Sequence, residues 1–260
     1  SCWAGSDFYA LCSMRQLLVI NPNMSAHVSA LLQRHVQGAA GSHVAVRTAT
    51  ARFGAPYIAC EASYAVAAHA ALDVWAHEIA QPQTAPDAVL IGCFGDPGLM
   101  ALRESSPVPV TGLAEAAFIE AARHGRYAIV TGGERWGPML QRLASSLGFG
   151  AQLRHIETVA PSGAALQADP EMAIQCLGQA CQNAAQQGVA SIILGGAGLA
   201  GYTRLLQPHI PLPLIDSAQA GWEVLLQQQA PAAPTSHDGF YAPWVGLPHS
   251  FSQVPAKGHG

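Results

Sequence analysis

The chain alternates between short apolar runs and longer segments in which apolar residues recur every three to four positions. Short apolar runs are typical of strands buried on both faces of a sheet, whereas the helical period is typical of amphipathic helices. The pattern predicts strands at 16–20, 44–49, 88–91, 108–111, 127–130 and 190–194, and helices at 26–38, 64–79, 114–124 and 170–187, with a further helix ending near Leu147. Largely uncharged strands that alternate with helices predict an α/β fold with a mainly parallel sheet.

The sequence contains an internal repeat. Val-Leu-Ile-Gly-Cys-Phe-Gly at 89–95 aligns with Ile-Ile-Leu-Gly-Gly-Ala-Gly at 192–198, and Pro-Val-Pro-Val at 107–110 aligns with Pro-Leu-Pro-Leu at 211–214. Such a repeat predicts two pseudo-symmetric lobes. The alignment places Gly196 where the other half has Cys93.

Two facing lobes predict one ligand cleft between them. Ligands of parallel sheets bind at the carboxyl ends of the strands, where loops and helix N-termini present backbone N–H groups. The loops expected around the cleft are 21–25, 92–96, 131–134 and 195–198.

The repeat and the composition together predict how the chain is divided into two lobes, a leader and a tail. Residues 14–111 together with 212–227 are expected to form one lobe, and 112–211 the other. Residues 1–13 read as a leader or start-site artefact outside the fold, and 228–260, rich in Pro, Ala, Gly, Ser and His, as an irregular C-terminal tail.

Composition narrows the class of protein. Hydrophobic residues make up 50% of the 260, which excludes extensive disorder, and no apolar run reaches the length of a membrane helix. A net charge of −4 without a basic stripe argues against nucleic-acid binding. Six scattered cysteines without a CxxC motif predict neither a disulfide framework nor a metal site. With no signal peptide recognised, the predicted location is the cytoplasm.

Cys93 is the leading candidate for chemistry. It follows a predicted buried strand directly and lies between glycines in a turn that leads toward a helix. A thiol near a helix N-terminus is expected to have a lowered pKa, which suits a proton-transferring base or a nucleophile. The alternative is a small apolar residue packed at the end of a strand.

A second pattern favours a different ligand. The segment 196–201 matches GxGxxG after a predicted strand, and Asp216 follows at the next strand end, as in a dinucleotide-binding unit. Pro208 and Pro211 interrupt the helix that such a unit needs, which weighs against this interpretation.

Four segments together resemble the aspartate/glutamate/hydantoin racemase family. They are Leu-Leu-Val-Ile-Asn-Pro-Asn at 17–23, Gly-Cys-Phe-Gly-Asp-Pro-Gly-Leu at 92–99, Gly-Leu-Ala-Glu-Ala-Ala at 112–117, and Leu-Gly-x-Ala-Gly at 194–198. The resemblance implies two Rossmann-like lobes with the active site between them, in a cofactor-independent isomerase without a metal. It also implies a small-molecule carboxylate or imide substrate and leaves room for a homo-oligomer.

The same resemblance implies the residues of the site. Two cysteines would face each other across the acidic carbon of the substrate, one removing a proton and the other returning one. Cys93 matches the first, whereas Gly196 occupies the position of the second. The residues expected to bind the substrate oxygens are Asn21, Ser25, Phe94, Gly95, Thr131, Gly132, Gly133, Ala197 and Gly198.

The glycine at position 196 leaves three functions open, since it has no side-chain proton to give. The first is a racemase that acts on an amino acid, a hydantoin or a related substrate and replaces the missing thiol by another group. The second is a one-thiol decarboxylase or isomerase related to arylmalonate decarboxylase. The third is a non-catalytic homologue that binds a small molecule.

Overall fold

The computed structural model describes residues 14–81, 85–161, 163–228 and 244–247. The strands are β1 (Arg15–Asn21), β2 (Val44–Thr50), β3 (Ala88–Ile91), β4 (Val110–Gly112), β5 (Tyr127–Gly132), β6 (Leu153–Val159), β7 (Ser191–Gly195) and β8 (Leu214–Asp216). The helices are α1 (Ala26–Ala40), α2 (Glu61–Ile79), α3 (Leu99–Ser105), α4 (Leu113–His124), α5 (Trp136–Ser146), α6 (Gly163–Ala168), α7 (Pro170–Ala185), α8 (Tyr202–Leu206) and α9 (Ser217–Gln227).

The strands form two parallel four-stranded sheets, ordered β2-β1-β3-β4 and β6-β5-β7-β8. The two orders are equivalent, because each strand of the first sheet has a counterpart at the same place in the second. The predicted α/β fold with two pseudo-symmetric lobes is confirmed. The predicted leader, 1–13, lies outside the described residues, as does the tail apart from 228 and 244–247.

Apolar strand sequences account for the position of the core. Residues Leu17 to Ile20 of β1 and Val89 to Ile91 of β3 are fully buried, as expected for strands covered by helices on both faces. The strand β6, which is not predicted by the apolar runs, lies at the edge of the second sheet and carries the polar sequence Leu-Arg-His-Ile-Glu-Thr-Val. An edge strand needs only one apolar face, so its sequence lacks the signal of a buried strand.

The predicted lobe boundary is wrong at its C-terminal end. The segment 212–216 was expected in the first lobe, but β8 pairs with β7 in the second sheet. The helices α4 and α9 pack against each other between the sheets, with α4 contacting β7 and α9 contacting β3 and β4. Each of these two helices contacts strands of both sheets, and of the segment 212–227 the helix at 217–227 is the part that packs on the first sheet.

The turn after β3 is tied to the start of α4 by Asp96. This residue has a φ of 51°, is almost fully buried, and accepts hydrogen bonds from the backbone N–H groups of Ala114 (2.9 Å) and Glu115 (2.7 Å). Its carboxylate lies against Gly112, where an added Cβ would overlap it. A glycine at 112 is therefore a requirement of the turn that carries Cys93.

Replacing Gly112 by alanine is expected to lower the free energy of unfolding by about 3 kcal/mol, because the carboxylate of Asp96 must move and leave two N–H groups of α4 without their acceptor. Urea unfolding measures the change. Gly178→Ala is the matched control, because a Cβ there meets Leu206 at an ordinary 3.5 Å and alanine favours the helix. Equal stabilities of the two variants would contradict the role given to Gly112.

Candidate active site

A cavity of about 340 Å³ lies between the lobes at the carboxyl ends of β1, β3, β5 and β7. The sequence predicted this position. The predicted site residues that line the cavity are Ser25, Cys93, Phe94, Thr131, Gly132, Gly196, Ala197 and Gly198. Lining residues that the sequence did not single out include Asn23, His27, Val28, Tyr57, Ile58, Trp136 and Leu199.

Asn21 does not line the cavity, although it was predicted to bind the substrate. Its side chain is fully buried, and its Nδ2 donates to the Asn23 side chain (3.1 Å), to the Ser25 carbonyl (3.1 Å) and to the Ser29 hydroxyl (2.9 Å). These bonds hold the loop that follows β1. Asn21 therefore supports the cavity wall from behind.

Asn23 is the asparagine that reaches the cavity. Its Oδ1 accepts from Asn21 and from the backbone N–H of Ser25 (2.9 Å), so the amide orientation is fixed. Its Nδ2 has no hydrogen-bond partner among the described residues, although the residue is only 6% exposed. A donor that is open to the cavity in an otherwise buried residue, and that bonds to no described protein group, is suited to a ligand oxygen. The sequence Asn-Pro-Asn marked the loop and did not reveal which asparagine faces inward.

Gly95 and Gly133 also lie outside the lining of the cavity. The carbonyl of Gly95 accepts a hydrogen bond from the Tyr64 hydroxyl (2.8 Å), and an added Cβ at this glycine would come 2.5 Å from the Trp136 ring. Gly133 lies on the other side of Trp136, where its Cβ would come 3.2 Å from that ring. Both glycines let the indole of Trp136 close one wall of the cavity.

Cys93 is 7% exposed and lines the cavity directly after β3. The backbone N–H of Asp96 donates to the Cys93 carbonyl (3.1 Å), closing the turn around the thiol. Burial raises the pKa of the Cys93 thiol, and the neighbouring carboxylate of Asp96 raises it further. Burial also raises the pKa of Asp96, to about 7.

The expected lowering of the Cys93 pKa is therefore wrong. The helix after the turn, α3, begins only at Leu99, and the free N–H groups at the start of α4 bond to Asp96 instead of the thiol. At neutral pH Cys93 is thus a protonated thiol. It can act directly as a general acid, whereas it must first lose its proton to act as a base.

The raised pKa predicts how the thiols react with iodoacetamide. The thiolate is the reactive form, so labelling of Cys93 should rise about tenfold per pH unit between pH 6 and 9 without reaching a plateau. Cys60, at the start of α2, should react first, because hydrogen bonds from the Ser63 hydroxyl and N–H lower the pKa of its thiol. Mass spectrometry of labelled peptides measures both rates. A plateau for Cys93 below pH 8 would contradict the effect of burial.

Gly196 begins the opposite part of the lining, directly after β7. It has a φ of 148°, and an added Cβ would lie 3.2 Å from Leu199 Cγ. The preceding Gly195 is packed under the Phe94 ring, which a Cβ at 195 would overlap. In the second lobe, the residue directly after the strand β7, Gly196, thus lines the cavity with backbone atoms alone. In the first lobe, Cys93 lines it with a thiol at the equivalent position after β3.

The dinucleotide interpretation is not supported by the local structure. The residues after Gly196 form a short 3-10 turn, and the following helix, α8, has only five residues. Asp216 accepts hydrogen bonds from the Gly201 N–H (3.2 Å), the Thr203 hydroxyl (2.9 Å) and the N–H of Ala218 (2.9 Å). These bonds join α8 to α9 through the carboxylate of Asp216. The carboxylate oxygens are therefore already occupied by protein donors and are not free to bind the hydroxyl groups of a ribose.

The sequence model of the Asp/Glu/Hydantoin racemase family matches residues 17–225. The chain belongs to this family. The resemblance seen in the sequence is thereby confirmed, and the protein is a member of a family of racemases, which are isomerases that act on small molecules.

Individual relatives agree with the assignment. A hydantoin racemase of Paenarthrobacter aurescens is 32% identical over 212 residues, which cover 80% of this chain and 89% of the relative. The structure of the allantoin racemase from Klebsiella pneumoniae is similar with a TM-score of 0.82 and 26% identity over 92% of this chain and 98% of that one. Arylmalonate decarboxylase shares the fold, with a TM-score of 0.55 and 16% identity over 84% and 96% of the two chains.

Two features of the described residues bear on the expected partners. None of the helices is long and apolar enough to cross a membrane. No group of three or more His, Cys, Asp or Glu side chains in the described ranges is arranged to hold a metal ion. The cytoplasmic location stays a prediction.

Proposed function

We propose that this protein moves a proton at the acidic carbon of a small cyclic amide or imide of the hydantoin and allantoin class, with Cys93 as the proton-transferring thiol and no cofactor. The observation that carries the proposal is the position of Cys93, whose thiol lies in the wall of the cavity at the carboxyl end of β3. Family membership and the hydantoin and allantoin racemases among the relatives support the substrate class.

Polar groups of both lobes are placed to hold the substrate oxygens. Asn23 Nδ2 comes from the loop after β1, and the hydroxyl of Thr131, which makes no hydrogen bond with the other described residues, comes from β5. Backbone N–H groups of the loops at Phe94 and Ala197 add donors. Donors fixed in a water-poor site stabilise the negative charge that an enolate oxygen develops when the carbon loses its proton.

The other walls of the cavity are apolar. Val28, Ile58, Trp136 and Leu199 lie along it, all of them largely buried. A substrate with an uncharged substituent on the acidic carbon fits this surface, whereas a carboxylate there has no Lys or Arg side chain among the described lining residues to pair with. This favours hydantoins and allantoin over aspartate and glutamate.

The test is exchange of the carbon-bound proton in D₂O, followed by NMR, with chiral chromatography of the same samples. We expect the enzyme to exchange 5-substituted hydantoins or allantoin faster than the spontaneous reaction, and to exchange aspartate and glutamate much more slowly. Ligand-induced shifts in melting temperature without exchange of any substrate would instead identify a binding protein. Exchange unaffected by loss of the Cys93 thiol would refute the role of that residue.

One-thiol decarboxylation is the second candidate, and the protonation of Cys93 favours it. A malonate that loses CO₂ in the cavity leaves an enolate, which takes the proton of the Cys93 thiol at its carbon and leaves a thiolate that regains a proton from water. This reaction needs no group at Gly196. Release of CO₂ from arylmalonates with formation of a single enantiomer would select it over proton exchange.

A further inference from the structure

The absence of a thiol at position 196 raises the question of what reaches the second face of the substrate carbon. Among the described residues that line the cavity, the titratable side chains are those of Cys93, Tyr57 and His27. Phenols as a class release a proton far less readily than imidazoles. The imidazole is therefore the second group with suitable chemistry.

His27 is the second residue of α1, the helix that follows β1, and it lines the same cavity as Cys93, which follows β3. Its ring makes no hydrogen bond or ion pair with the other described residues, so no protein partner fixes it or occupies its nitrogens. The residue is exposed, which gives the ring access to solvent as well as to the cavity. An imidazole with both contacts can take a proton from one side and exchange it on the other.

The packing of α1 brings this helix to the glycine loop. The helix contacts the turn 197–199, which follows Gly196 directly. Val28, next to His27, lines the cavity together with Leu199 of that turn. The start of α1 is anchored, because the Ser25 hydroxyl accepts a hydrogen bond from the Val28 N–H (3.3 Å). The anchored start of α1 therefore places His27 in the lining of the same cavity as Gly196, in a helix that contacts the turn after this glycine.

We propose that His27 is the second proton-transferring group of this cavity and replaces the missing thiol, so that the protein inverts the substrate carbon with a cysteine–histidine pair. This inference rests on the function proposed above, in which Cys93 serves one face of that carbon.

The protons balance over one turnover. In the resting pair, the neutral imidazole of His27 takes the proton from the carbon and becomes an imidazolium, and the C–H electron pair passes into the enolate. The thiol of Cys93 then gives its proton to the opposite face, leaving a thiolate and the inverted substrate. Transfer through water from the imidazolium to the thiolate restores the resting pair. The other enantiomer reacts with the pair in its thiolate–imidazolium form. The thiolate of Cys93 then removes the proton from the carbon, and the imidazolium of His27 returns one to the opposite face.

The variant His27→Gln tests the proposal, because glutamine keeps polarity and loses the proton-transferring ring. For a 5-substituted hydantoin in D₂O we expect inversion to fall by about 10²-fold or more, the usual effect of removing a general acid or base. Exchange with retention at the face of Cys93 should persist. The KM and the ligand-induced melting shift should change little, since His27 is not needed for binding. His209→Gln, at an exposed histidine far along the chain in a 3-10 turn, is the matched control and should behave as the wild type.

A second variant separates chemistry from structure. In His27→Gly, added imidazole should restore inversion in a concentration-dependent way, whereas added pyrazole, of similar shape and much weaker basicity, should not. Inversion by His27→Gln at the wild-type rate would overturn the proposal, and so would exchange by the wild type with complete retention. In both cases Cys93 keeps its role. A wild type that exchanges no substrate would overturn the proposed function together with this inference.

Discussion

The variant Cys93→Ala is expected to lose the enzyme-catalysed inversion of the substrate carbon, and the proton exchange at the face that Cys93 serves, by a factor of about 10²–10⁴, the range that a positioned general acid or base contributes. The physical reason is the composition of the cavity wall. Among its described residues Cys93 is the single thiol, and the opposite loop at Gly196 offers only backbone. Exchange rates by NMR, with the spontaneous rate subtracted, measure the loss.

The matched control for this experiment is Cys181→Ala. Cys181 is fully buried in α7, away from the cavity, and burial raises the pKa of its thiol to about 12. Each variant removes one buried sulfur atom and should cost about 1 kcal/mol of stability through the small void that it leaves. If both variants lost exchange equally, the loss would reflect packing, and Cys93 would have no chemical role.

The position of the site could be predicted from the sequence because it depends on topology. In a parallel sheet every strand ends at the same edge, so the residues after an apolar run must meet there, as Cys93 and Thr131 do. The internal repeat extended this argument to two sheets facing one cavity. It also contained the correct place of β8, because 211–214 repeats 107–110, the segment that leads into β4 at the end of the first sheet.

The direction of individual side chains could not be predicted in the same way. Asn21 and Asn23 are both short amides in one loop, and only the buried contact of Asn21 with Ser29 decides that Asn23 faces the cavity. The pKa of Cys93 is raised first by burial and then by the carboxylate of Asp96, which takes the N–H groups at the start of α4. Those N–H groups belong to residues 18 and 19 positions after Asp96 along the chain, a separation that local sequence patterns do not encode.

His27 is a further residue that no sequence pattern singles out. Histidines are numerous in this chain, and the one at position 27 has no motif around it. Its place in the cavity wall depends on the cap at Ser25, which starts α1, and on the packing of α1 against the turn 197–199 of the other lobe. The packing is a contact between the lobes, and local sequence patterns do not encode it.

Replacing Gly196 by cysteine is expected to supply the second face of the substrate with a thiol and to lower stability at the same time. The φ of 148° is a conformation that residues with a Cβ avoid, so the free energy of unfolding should fall by about 1–3 kcal/mol. The new Cβ would lie 3.2 Å from Cγ of the buried Leu199 side chain, so this side chain must shift by a few tenths of an ångström to admit it.

The double variant His27→Gln/Gly196→Cys isolates the catalytic part of this effect. If inversion requires a proton-transferring group on the side of position 196, the new thiol should restore about 10²-fold of the inversion that His27→Gln loses. The variant His27→Gln/Gly196→Ala is the control, because alanine imposes the same backbone strain and the same first side-chain atom without a proton to transfer. Chiral chromatography and urea unfolding on the same samples separate activity from stability. Equal inversion rates for the cysteine and alanine variants would mean that position 196 does not face the reacting carbon, since only the thiol distinguishes the two.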